Sequence, residues 1–428
     1  MSKLPPFEPH KYAIFLKTNG NYASDGVILW QWTGTHWEAF EDKYGKTHAY
    51  RWLVDNDKTH ISDAFAGQAY AAAVRWLDAL PEMDPSKVIL PVQNGYLHLE
   101  RDGFVLRPHD KTLGLQHVLK CDFDPTAPEP KRFQQFLRRI LPNIDVQNRV
   151  QEYIGYTFLP DTRFQRAQLW LGDGANGKGT LANILQALHH KTAAVQLDAL
   201  EGFKLSGMLG ASLIYCDEAP QRGIHEQMLK SLIAGESVMI DRKYQDPLTA
   251  RIKGKWLILG NHFPPISDQS SGFWRRWDIV PFSTVIPEKE RQPLLEKEIV
   301  ANELSAVLNW AIDGLMRLLQ RGGFDVALPE PMRAMLRQAR AETNSVQAWF
   351  EAINCRTTSE AHTPKSVVYR NYVEWCRENG MSPVSSIKFW KRVSEIIGPG
   401  KLIENRARSG DGSQPRCCNL QVELEFGA

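Results

Sequence analysis

The segment 172–180, Gly-Asp-Gly-Ala-Asn-Gly-Lys-Gly-Thr, constrains the fold more than any other part of the chain. The apolar run 167–171 before it predicts a strand. The residues after it predict a helix, because apolar side chains recur at helical spacing, at Leu181, Ile184, Leu185 and Leu188. Glycines let backbone N–H groups turn inward around phosphates, and a helix N-terminus attracts them. The segment therefore predicts a phosphate-binding loop, or P-loop, between a strand and a helix.

The P-loop pattern also requires a lysine for the β and γ phosphates and a hydroxyl for magnesium. Lys178 meets the first requirement, but Gly179 stands where Ser or Thr is usual, so we assign the hydroxyl to Thr180. The alternative is a glycine-rich turn with a chance lysine, which the flanking strand and helix disfavour. The predicted ligands of ATP are Gly172, Gly174, Asn176, Gly177, Lys178, Gly179 and Thr180.

An acidic pair ends a second apolar run. The run Ser-Leu-Ile-Tyr-Cys at 212–216 leads into Asp217 and Glu218, about 40 residues after the P-loop. Nucleotide hydrolysis needs one carboxylate for Mg²⁺ and one that polarises the attacking water. We therefore predict Thr180 and Asp217 as metal ligands and Glu218 as the general base. Taken alone, the run also fits an ordinary strand end, and its position after the P-loop favours the catalytic interpretation.

Two further strand ends carry polar side chains. Asn261 follows the run 255–260, where its amide could orient water beside a γ phosphate, although a simple Asn turn fits equally well. Arg275 and Arg276 precede the run 277–282. An arginine supplied in trans accelerates phosphoryl transfer by about 10³ to 10⁵. Taken alone, an arginine pair more often lies on a solvated or salt-bridged surface.

The fold class follows from four apolar runs, which predict strands covered on both faces, as in a largely parallel sheet: 167–171, 211–216, 256–259 and 277–282. The predicted class is α/β, with a small α+β domain before this core and a helical region after it. At 428 residues the chain is too long for one ordinary core. The predicted domains are 1–125, 126–165, 166–345 and 346–428.

Composition limits the class of protein. Hydrophobic residues make up 43% and charged residues 23%, which are globular values, and no apolar run is long enough to cross a bilayer. Without a secretory signal pattern, we expect a cytoplasmic protein with no membrane partner. Its six cysteines lack metal-ligand spacing and predict reduced thiols. Because the net charge is only +2, affinity for nucleic acid must come from local patches.

The C-terminal region is such a patch. Between 365 and 416, ten basic residues stand against five acidic ones. The basic residues are Lys365, Arg370, Arg377, Lys388, Lys391, Arg392, Lys401, Arg406, Arg408 and Arg416. This composition favours contact with phosphates, and the alternative is a solvated basic face on a domain that binds a protein.

The P-loop, the acidic pair, Asn261 and the arginine pair, in this order, resemble the helicase half of phage and plasmid type primase-helicases. These are superfamily 3 helicases within the AAA+ ATPases, and the segment 229–247 is similar to a further motif of the family. The resemblance implies a P-loop AAA+ core. It also implies an N-terminal helicase-associated domain and a C-terminal winged helix, with the segments 367–376 and 387–392 lying in two of its helices.

The resemblance also implies roles for individual residues. It makes Asn261 the sensor of the γ phosphate and Arg276 the arginine finger, with Arg275 the less favoured choice. It implies a hexameric ring around one DNA strand, with ATP between neighbouring subunits. A channel hairpin would contact DNA through Arg242, Lys243 and Tyr244, where two cations beside an aromatic ring can follow a strand without reading its sequence. The alternative for this hairpin is a basic exposed turn with no ligand.

The winged helix would contact duplex DNA through Lys388, Lys391 and Arg392. Many relatives carry a primase at the N-terminus. Asp122 and Asp124 imitate the paired acids of a two-metal polymerase site, but only about 120 residues precede them and no third carboxylate accompanies them. We interpret them as a linker pair and expect no complete primase.

The predicted function is therefore an ATP-dependent DNA helicase of a phage, plasmid or other mobile element. It would act in replication on single-stranded and forked DNA, and the resemblance suggests 3′ to 5′ travel. Origin-binding or primase partners are possible under this prediction. The main alternative is an ATP-dependent, origin-binding initiator without unwinding activity. A small-molecule nucleotide kinase is a second rival, although it would not explain the basic C-terminal unit.

Overall fold

A computed structural model describes residues 5–40, 42–100, 103–220, 223–242, 245–264, 266, 268, 270–360, 363–381, 383–398, 400–406 and 414–421. The chain divides into two compact units. Unit 1 comprises residues 1–264 and 275–332, and unit 2 comprises residues 265–274 and 333–428. This division does not test the predicted boundaries at 125, 165 and 345, which remain predictions.

The first part of unit 1 combines three helices with two small antiparallel sheets. Its elements are α1 (His10–Asn19), β1 (Tyr22–Ser24), β2 (Leu29–Trp32), β3 (Trp37–Phe40), α2 (Asp42–Asn56), α3 (Asp63–Trp76), β4 (Ile89–Val92), β5 (Gly95–Glu100) and β6 (Gly103–Arg107). The sheets have the orders β1-β2-β3 and β4-β5-β6. Helices α1 to α3 enclose a core that includes Leu16, Leu53 and Tyr70. This part therefore has the α+β character that the sequence predicts.

The second part of unit 1 is built on a parallel sheet. Its elements up to the last strand are α4 (Lys131–Ile140), α5 (Ile144–Thr157), β7 (Ala167–Leu171), α6 (Lys178–Leu188), β8 (Thr192–Ala194), β9 (Leu213–Cys216), α7 (Glu226–Ala234), β10 (Ser237–Arg242), β11 (Gln245–Arg251), β12 (Lys255–Gly260), α8 (Ser271–Trp274) and β13 (Trp277–Pro281). Helix α8 belongs to unit 2. Short 3-10 helices lie at Lys111–Leu113, Leu197–Ala199, Gly202–Met208 and Glu288–Glu290.

Five strands form one sheet in the order β13-β7-β12-β9-β8, and every neighbouring pair is parallel. All residues of β7 and β12 are buried, including Trp170 and Trp256, so protein covers both faces of the sheet. The four predicted strands are confirmed to within two residues at each end. Because all five strands are parallel, their carboxyl ends meet at one edge.

Helices α9 (Leu295–Asn302) and α10 (Leu304–Arg321) complete unit 1. Helix α10 packs closely on α5 because both carry a glycine at the contact: a Cβ on Gly155 would lie 2.4 Å from the Ala311 carbonyl oxygen. Gly314 allows the same approach to Gln151. A buried ion pair joins α5 to the sheet, since the Arg149 guanidinium donates to both carboxylate oxygens of Asp278, at 2.7 and 2.9 Å. These contacts tie the predicted helical linker to the core.

Unit 2 is a small mixed domain. Its elements after the boundary are α11 (Glu330–Thr343, which begins in unit 1), α12 (Ser345–Ala352), β14 (Arg356–Thr357), β15 (Thr363–Pro364), α13 (Lys365–Glu378), α14 (Ser386–Ile397), β16 (Glu404–Arg406), β17 (Arg416–Cys418) and β18 (Leu420–Gln421). Strands form the sheets β15-β17-β16 and β14-β18. Its core contains Trp349, Tyr372 and Phe389. Both helices predicted here, within 367–376 and 387–392, are present.

Candidate functional site

Three strand ends converge on a cavity of about 410 Å³ at the carboxyl edge of the parallel sheet. Strand β7 leads into the P-loop, β9 into the acidic pair, and β12, which lies between them, into Asn261. The cavity is lined by Ala175, Asn176, Gly177, Lys178, Gly179, Thr180, Asp217, Glu218, Leu259, Gly260 and Asn261. The structure therefore brings together residues that are far apart in sequence, at the edge where open α/β sheets bind ligands.

Gly177 fixes the backbone at the point where the P-loop becomes α6. It caps the helix in the left-handed region at φ +79°, and a Cβ there would lie 2.6 Å from Cγ2 of Ile140 on α4. Both the conformation and the space exclude a larger residue. The N-terminal turn of α6 consequently faces the cavity, where its backbone N–H groups and the helix dipole suit a phosphate.

The Asn176 side chain braces the rest of the loop. It is 2% exposed and donates to the carbonyl oxygens of Asp173 and, at 3.1 Å, Phe282. Its own oxygen accepts from the Lys178 backbone N–H at 3.4 Å. Asn176, a predicted nucleotide ligand, lines the cavity, but these bonds show that its amide also holds the loop to the chain that follows β13.

Lys178 points across the loop mouth. Its ammonium donates to the Gly172 carbonyl oxygen at 2.6 Å and to Oδ1 of Asn261 at 2.9 Å. Partial burial lowers the pKa of Lys178, while the nearby carboxylates of Asp173 and Asp217 act in the opposite direction. The predicted lysine and the predicted sensor amide are thus in direct contact.

The acidic pair is exposed at the cavity, as a site for metal and water requires. The Tyr215 hydroxyl, from the strand itself, donates to Oδ1 of Asp217 at 2.6 Å. Burial, followed by the neighbouring Asp217 carboxylate, raises the pKa of Tyr215, so the hydroxyl keeps its proton and remains a donor. We did not predict Tyr215 from the sequence, where a tyrosine in an apolar strand looks like a core residue.

Gly179 and Thr180 both line the cavity. A Cβ built on Gly179 meets nothing within 4 Å, so the space beside the loop is open at the position where other P-loops carry Ser or Thr. Mg²⁺ is usually held by one or two protein oxygens together with substrate phosphates and water. Thr180 and Asp217 are donors of this type on the same cavity, so the residues fit the predicted metal and nucleotide.

The arginine pair lies at the amino-terminal ends of the strands, opposite the ends that form the cavity. The Arg276 carbonyl oxygen accepts from the N–H of Ala167, the first residue of β7, and β7 then runs about 13 Å before the P-loop begins. Arg275 is exposed, whereas the Arg276 side chain is 9% exposed. Neither arginine lines the cavity of its own chain. Burial disfavours Arg276, our first choice from the sequence, and leaves Arg275 better placed to reach another molecule.

The predicted DNA-binding hairpin is present as an antiparallel pair, β10 and β11, with Arg242 opposite Gln245. Lys243 and Tyr244, which connect the strands, lie outside the described residues, and the Arg242 side chain is also not described. In unit 2, Lys388 and Lys391 are exposed on α14, and Arg392 on the same helix is 8% exposed. Lys388 and Lys391 are therefore accessible on this helix, and the three phosphate contacts remain predictions.

Three protein-family models match separate parts of the chain. Residues 13–142 match the family "D5 N terminal like" and residues 343–417 match "Poxvirus D5 protein-like". Residues 170–276, which contain the P-loop, the acidic pair, Asn261 and both arginines, match a family of unknown function. The two D5 matches lie on either side of the candidate site.

Two curated viral proteins are similar to the chain at low identity. A "Putative helicase" of Acanthamoeba polyphaga mimivirus is 24% identical over an alignment of 279 residues that covers 61% of this chain and 28% of the relative. A "Putative helicase" of Invertebrate iridescent virus 3 is 20% identical over an alignment of 333 residues that covers 68% of this chain and 35% of the relative. This chain therefore spans about a third or less of each relative.

Solved structures of the NrS-1 C-terminal region share the fold. An apo A-form structure aligns with a TM-score of 0.51 at 14% identity, over 97% of this chain and 100% of that one. A second apo structure of this region gives the same TM-score and coverage at 13% identity. These solved structures are similar to this chain in fold, and the two D5 matches cover an N-terminal and a C-terminal segment of it.

Proposed function

We propose that this protein is an ATP-dependent DNA helicase that acts in the replication of a phage, plasmid or other mobile element. The observation that carries the proposal is the convergence of the P-loop, Asp217, Glu218 and Asn261 on one cavity. Two viral relatives described as helicases support the choice of helicase over other P-loop ATPases. When bound there, ATP supplies the free energy for movement along DNA.

Each cavity residue has a distinct task under this proposal. The Lys178 ammonium exchanges its hydrogen bond to Asn261 for phosphate oxygens, whose charge it neutralises. Thr180 and Asp217 provide oxygen ligands for Mg²⁺. Glu218 accepts a proton from the attacking water, and Asn261 orients that water. Because no arginine lines the cavity within the described chain, we assign the arginine finger to a neighbouring subunit.

DNA contacts and assembly form the second part of the proposal. The hairpin tip, Arg242 to Tyr244, would hold a single strand in the channel of a hexameric AAA+ ring, with 3′ to 5′ travel. Unit 2 would act as a winged helix on the duplex ahead, because its order of α12, β15, α13, α14, β16 and β17 suits that fold. Under this proposal, membership of superfamily 3 accounts for both the channel hairpin and the winged helix.

The proposal is tested by ATP hydrolysis with and without single-stranded DNA, and by strand separation on a forked duplex. The wild-type protein should hydrolyse ATP, hydrolyse it faster when single-stranded DNA is added, and separate the strands of the forked duplex. Lys178→Ala should lose all three activities. ATP hydrolysis without strand separation would instead support the origin-binding initiator. Stabilisation by nucleoside monophosphates, together with no response to DNA, would contradict the helicase proposal and favour a kinase.

A further inference from the structure

A second, larger cavity of about 1140 Å³ lies within unit 1, away from the P-loop. One wall comes from the N-terminal part, including the end of α3 and the segment 77–85. The other comes from the amino-terminal side of the parallel sheet, including residues 210, 211, 251 and 253. Its volume slightly exceeds the range of about 300 to 1,000 Å³ that is typical of small-molecule sites. The cavity can therefore hold a nucleotide-sized ligand.

Three cationic side chains reach this cavity from both walls. Arg75 lies in the last turn of α3, Arg251 ends β11, and Lys253 lies between β11 and β12. The Arg251 guanidinium donates through Nε to the Ser237 hydroxyl at 3.3 Å, a bond that holds it at the base of the hairpin. The cations therefore converge from different elements instead of following one solvated helix face.

Three carboxylates also line the cavity, but two of them are engaged by their own segments. Asp25 accepts from the backbone N–H groups of Val27 and Ile28 at 2.9 and 2.8 Å, and from the Trp30 indole at 3.0 Å. Asp161 forms an ion pair with Arg163, whose Nε donates to it at 2.8 Å. Burial lowers the pKa of Lys253, and the nearby carboxylates of Asp161 and Glu82 act in the opposite direction. With Asp161 paired to Arg163, the lining carries three cations against the two carboxylates of Asp25 and Glu82, which leaves an excess of one positive charge.

The remaining lining is largely apolar and firmly held. Leu77 and Leu115 are 8% and 1% exposed. Two backbone hydrogen bonds hold the segment 78–80 of this wall to Ser24. The Ser24 N–H donates to the Asp78 carbonyl oxygen, and the Leu80 N–H donates to the Ser24 carbonyl oxygen. An apolar wall beside a positive one is the arrangement that suits a base or sugar attached to phosphate.

We propose that this cavity is a second binding site, separate from the P-loop, for a phosphate-bearing ligand of the nucleotide class. Arg75, Arg251 and Lys253 bind phosphate oxygens, while Leu77 and Leu115 cover the apolar part of the ligand. Because Arg251 belongs to the hairpin, occupancy of the site restrains the hairpin base. The ligand is either one unit of a single DNA strand or a free nucleotide, since both present the same chemistry.

Hydrogen exchange by mass spectrometry in the Lys178→Ala background tests this proposal, because that variant removes phosphate binding at the P-loop. Added dT12 or added ATP should slow exchange in segments 77–83 and 114–117. Protection by dT12 alone identifies a DNA strand, protection by ATP alone identifies a free nucleotide, and protection by both identifies the shared chemistry. Protection by neither probe would overturn the proposal, whether or not the protein proves to be a helicase.

Two variants from opposite walls locate the effect. The protection should be abolished by the double variant Arg251→Ala/Lys253→Ala and, independently, by Arg75→Ala. In each variant the slope of log affinity for single-stranded DNA against log salt concentration should fall by about 0.7 for each phosphate that is no longer neutralised. Arg138→Ala is the matched control, because Arg138 is exposed on α4 and bonds only to Gln134 among the contacts of its described surroundings. Unchanged protection in both cavity variants would show that the ligand lies elsewhere. Thermal unfolding checks that each variant is folded.

Discussion

At the scale of single residues, Tyr215 tests how the acidic pair is positioned. We expect Tyr215→Phe to weaken Mg²⁺ binding roughly tenfold, because outer-shell partners of metal ligands commonly contribute 10- to 100-fold in affinity. The substitution removes the hydroxyl that donates to Asp217 at 2.6 Å. Titrating Mg²⁺ against ATP hydrolysis should show a higher half-saturating concentration with nearly normal turnover at saturation.

Tyr369→Phe is the matched control for this substitution. The Tyr369 hydroxyl donates to the Val384 carbonyl oxygen at 2.9 Å in unit 2, and Tyr369 does not line the cavity. This variant loses one hydrogen bond of similar length but should keep its Mg²⁺ dependence. An equal change in both variants would mean that Tyr215 contributes only to general stability.

Lys255 gives a second residue-scale prediction, on pH dependence. Complete burial lowers the pKa of Lys255 from 10.5 to about 7. Between these values the unfolded chain holds a proton that the folded protein lacks, so the free energy of unfolding rises with pH from about 7 to about 10.5. Lys255→Met should remove a slope of at most about 1.4 kcal/mol per pH unit, measured by denaturant unfolding between pH 7 and 9.

The control for this pH profile is Lys120→Met, since the Lys120 side chain is exposed. It should leave the slope unchanged. A wild-type profile that runs parallel to that of Lys255→Met would show that the buried amine does not titrate in this range. Neither Lys255 nor Tyr215 could be identified from the sequence, because burial and contact geometry, not residue type, determine what they do.

At the scale of elements, α14 offers a test of the basic surface. Lys388 and Lys391 are exposed on this helix. We expect Lys388→Ala/Lys391→Ala to weaken duplex DNA binding and to reduce its salt slope by about 0.9 for each phosphate that the helix no longer neutralises. Arg377→Ala on α13 removes an exposed cation of the same unit and serves as the control. Equal effects in both variants would indicate a diffuse basic surface instead of one recognition helix.

Strands can be predicted from the sequence where a run of apolar residues determines which side chains are buried. The run Ala167–Leu171 matched β7 at both ends, because an uninterrupted apolar run fits a strand covered on both faces. Strand β8, Thr192–Ala194, was missed, since three small residues at a sheet edge carry no periodic signal. The burial of Arg276 and Arg392 also could not be read from sequence, where both look like surface cations.

At the scale of the whole molecule, the order of strands determines what the site can do alone. Strand order depends on contacts between distant segments, so the sequence did not show that β12 would lie between β7 and β9. That order places Lys178, Asp217 and Asn261 on one cavity, and Arg275 lies at the opposite, amino-terminal end of the strands because it precedes β13, which runs parallel to β7. Each chain therefore holds a loop at one edge and a candidate finger at the other, an arrangement suited to head-to-tail assembly.

This arrangement predicts that two inactive variants restore activity when mixed. Lys178→Ala should not use ATP, and Arg275→Ala should bind ATP but lose turnover by about 10³-fold or more. In the proposed ring, the Arg275→Ala chain supplies an intact P-loop and the Lys178→Ala chain supplies an intact arginine. If equal amounts of the two chains assemble at random, roughly a quarter of the interfaces contain both groups. ATP hydrolysis should then rise well above the sum of the two separate samples.

Mixing Lys178→Ala with Glu218→Gln provides the control, because Lys178 and Glu218 line the same cavity of one chain. No interface in that mixture recovers both groups, so its hydrolysis should stay at the level of the separate samples. Recovery in the control would mean that the acidic pair also acts between chains. If Lys178→Ala and Arg275→Ala fail to complement while Lys178→Ala and Arg276→Ala succeed, the finger is the arginine that is buried in the isolated chain, and assembly must expose it.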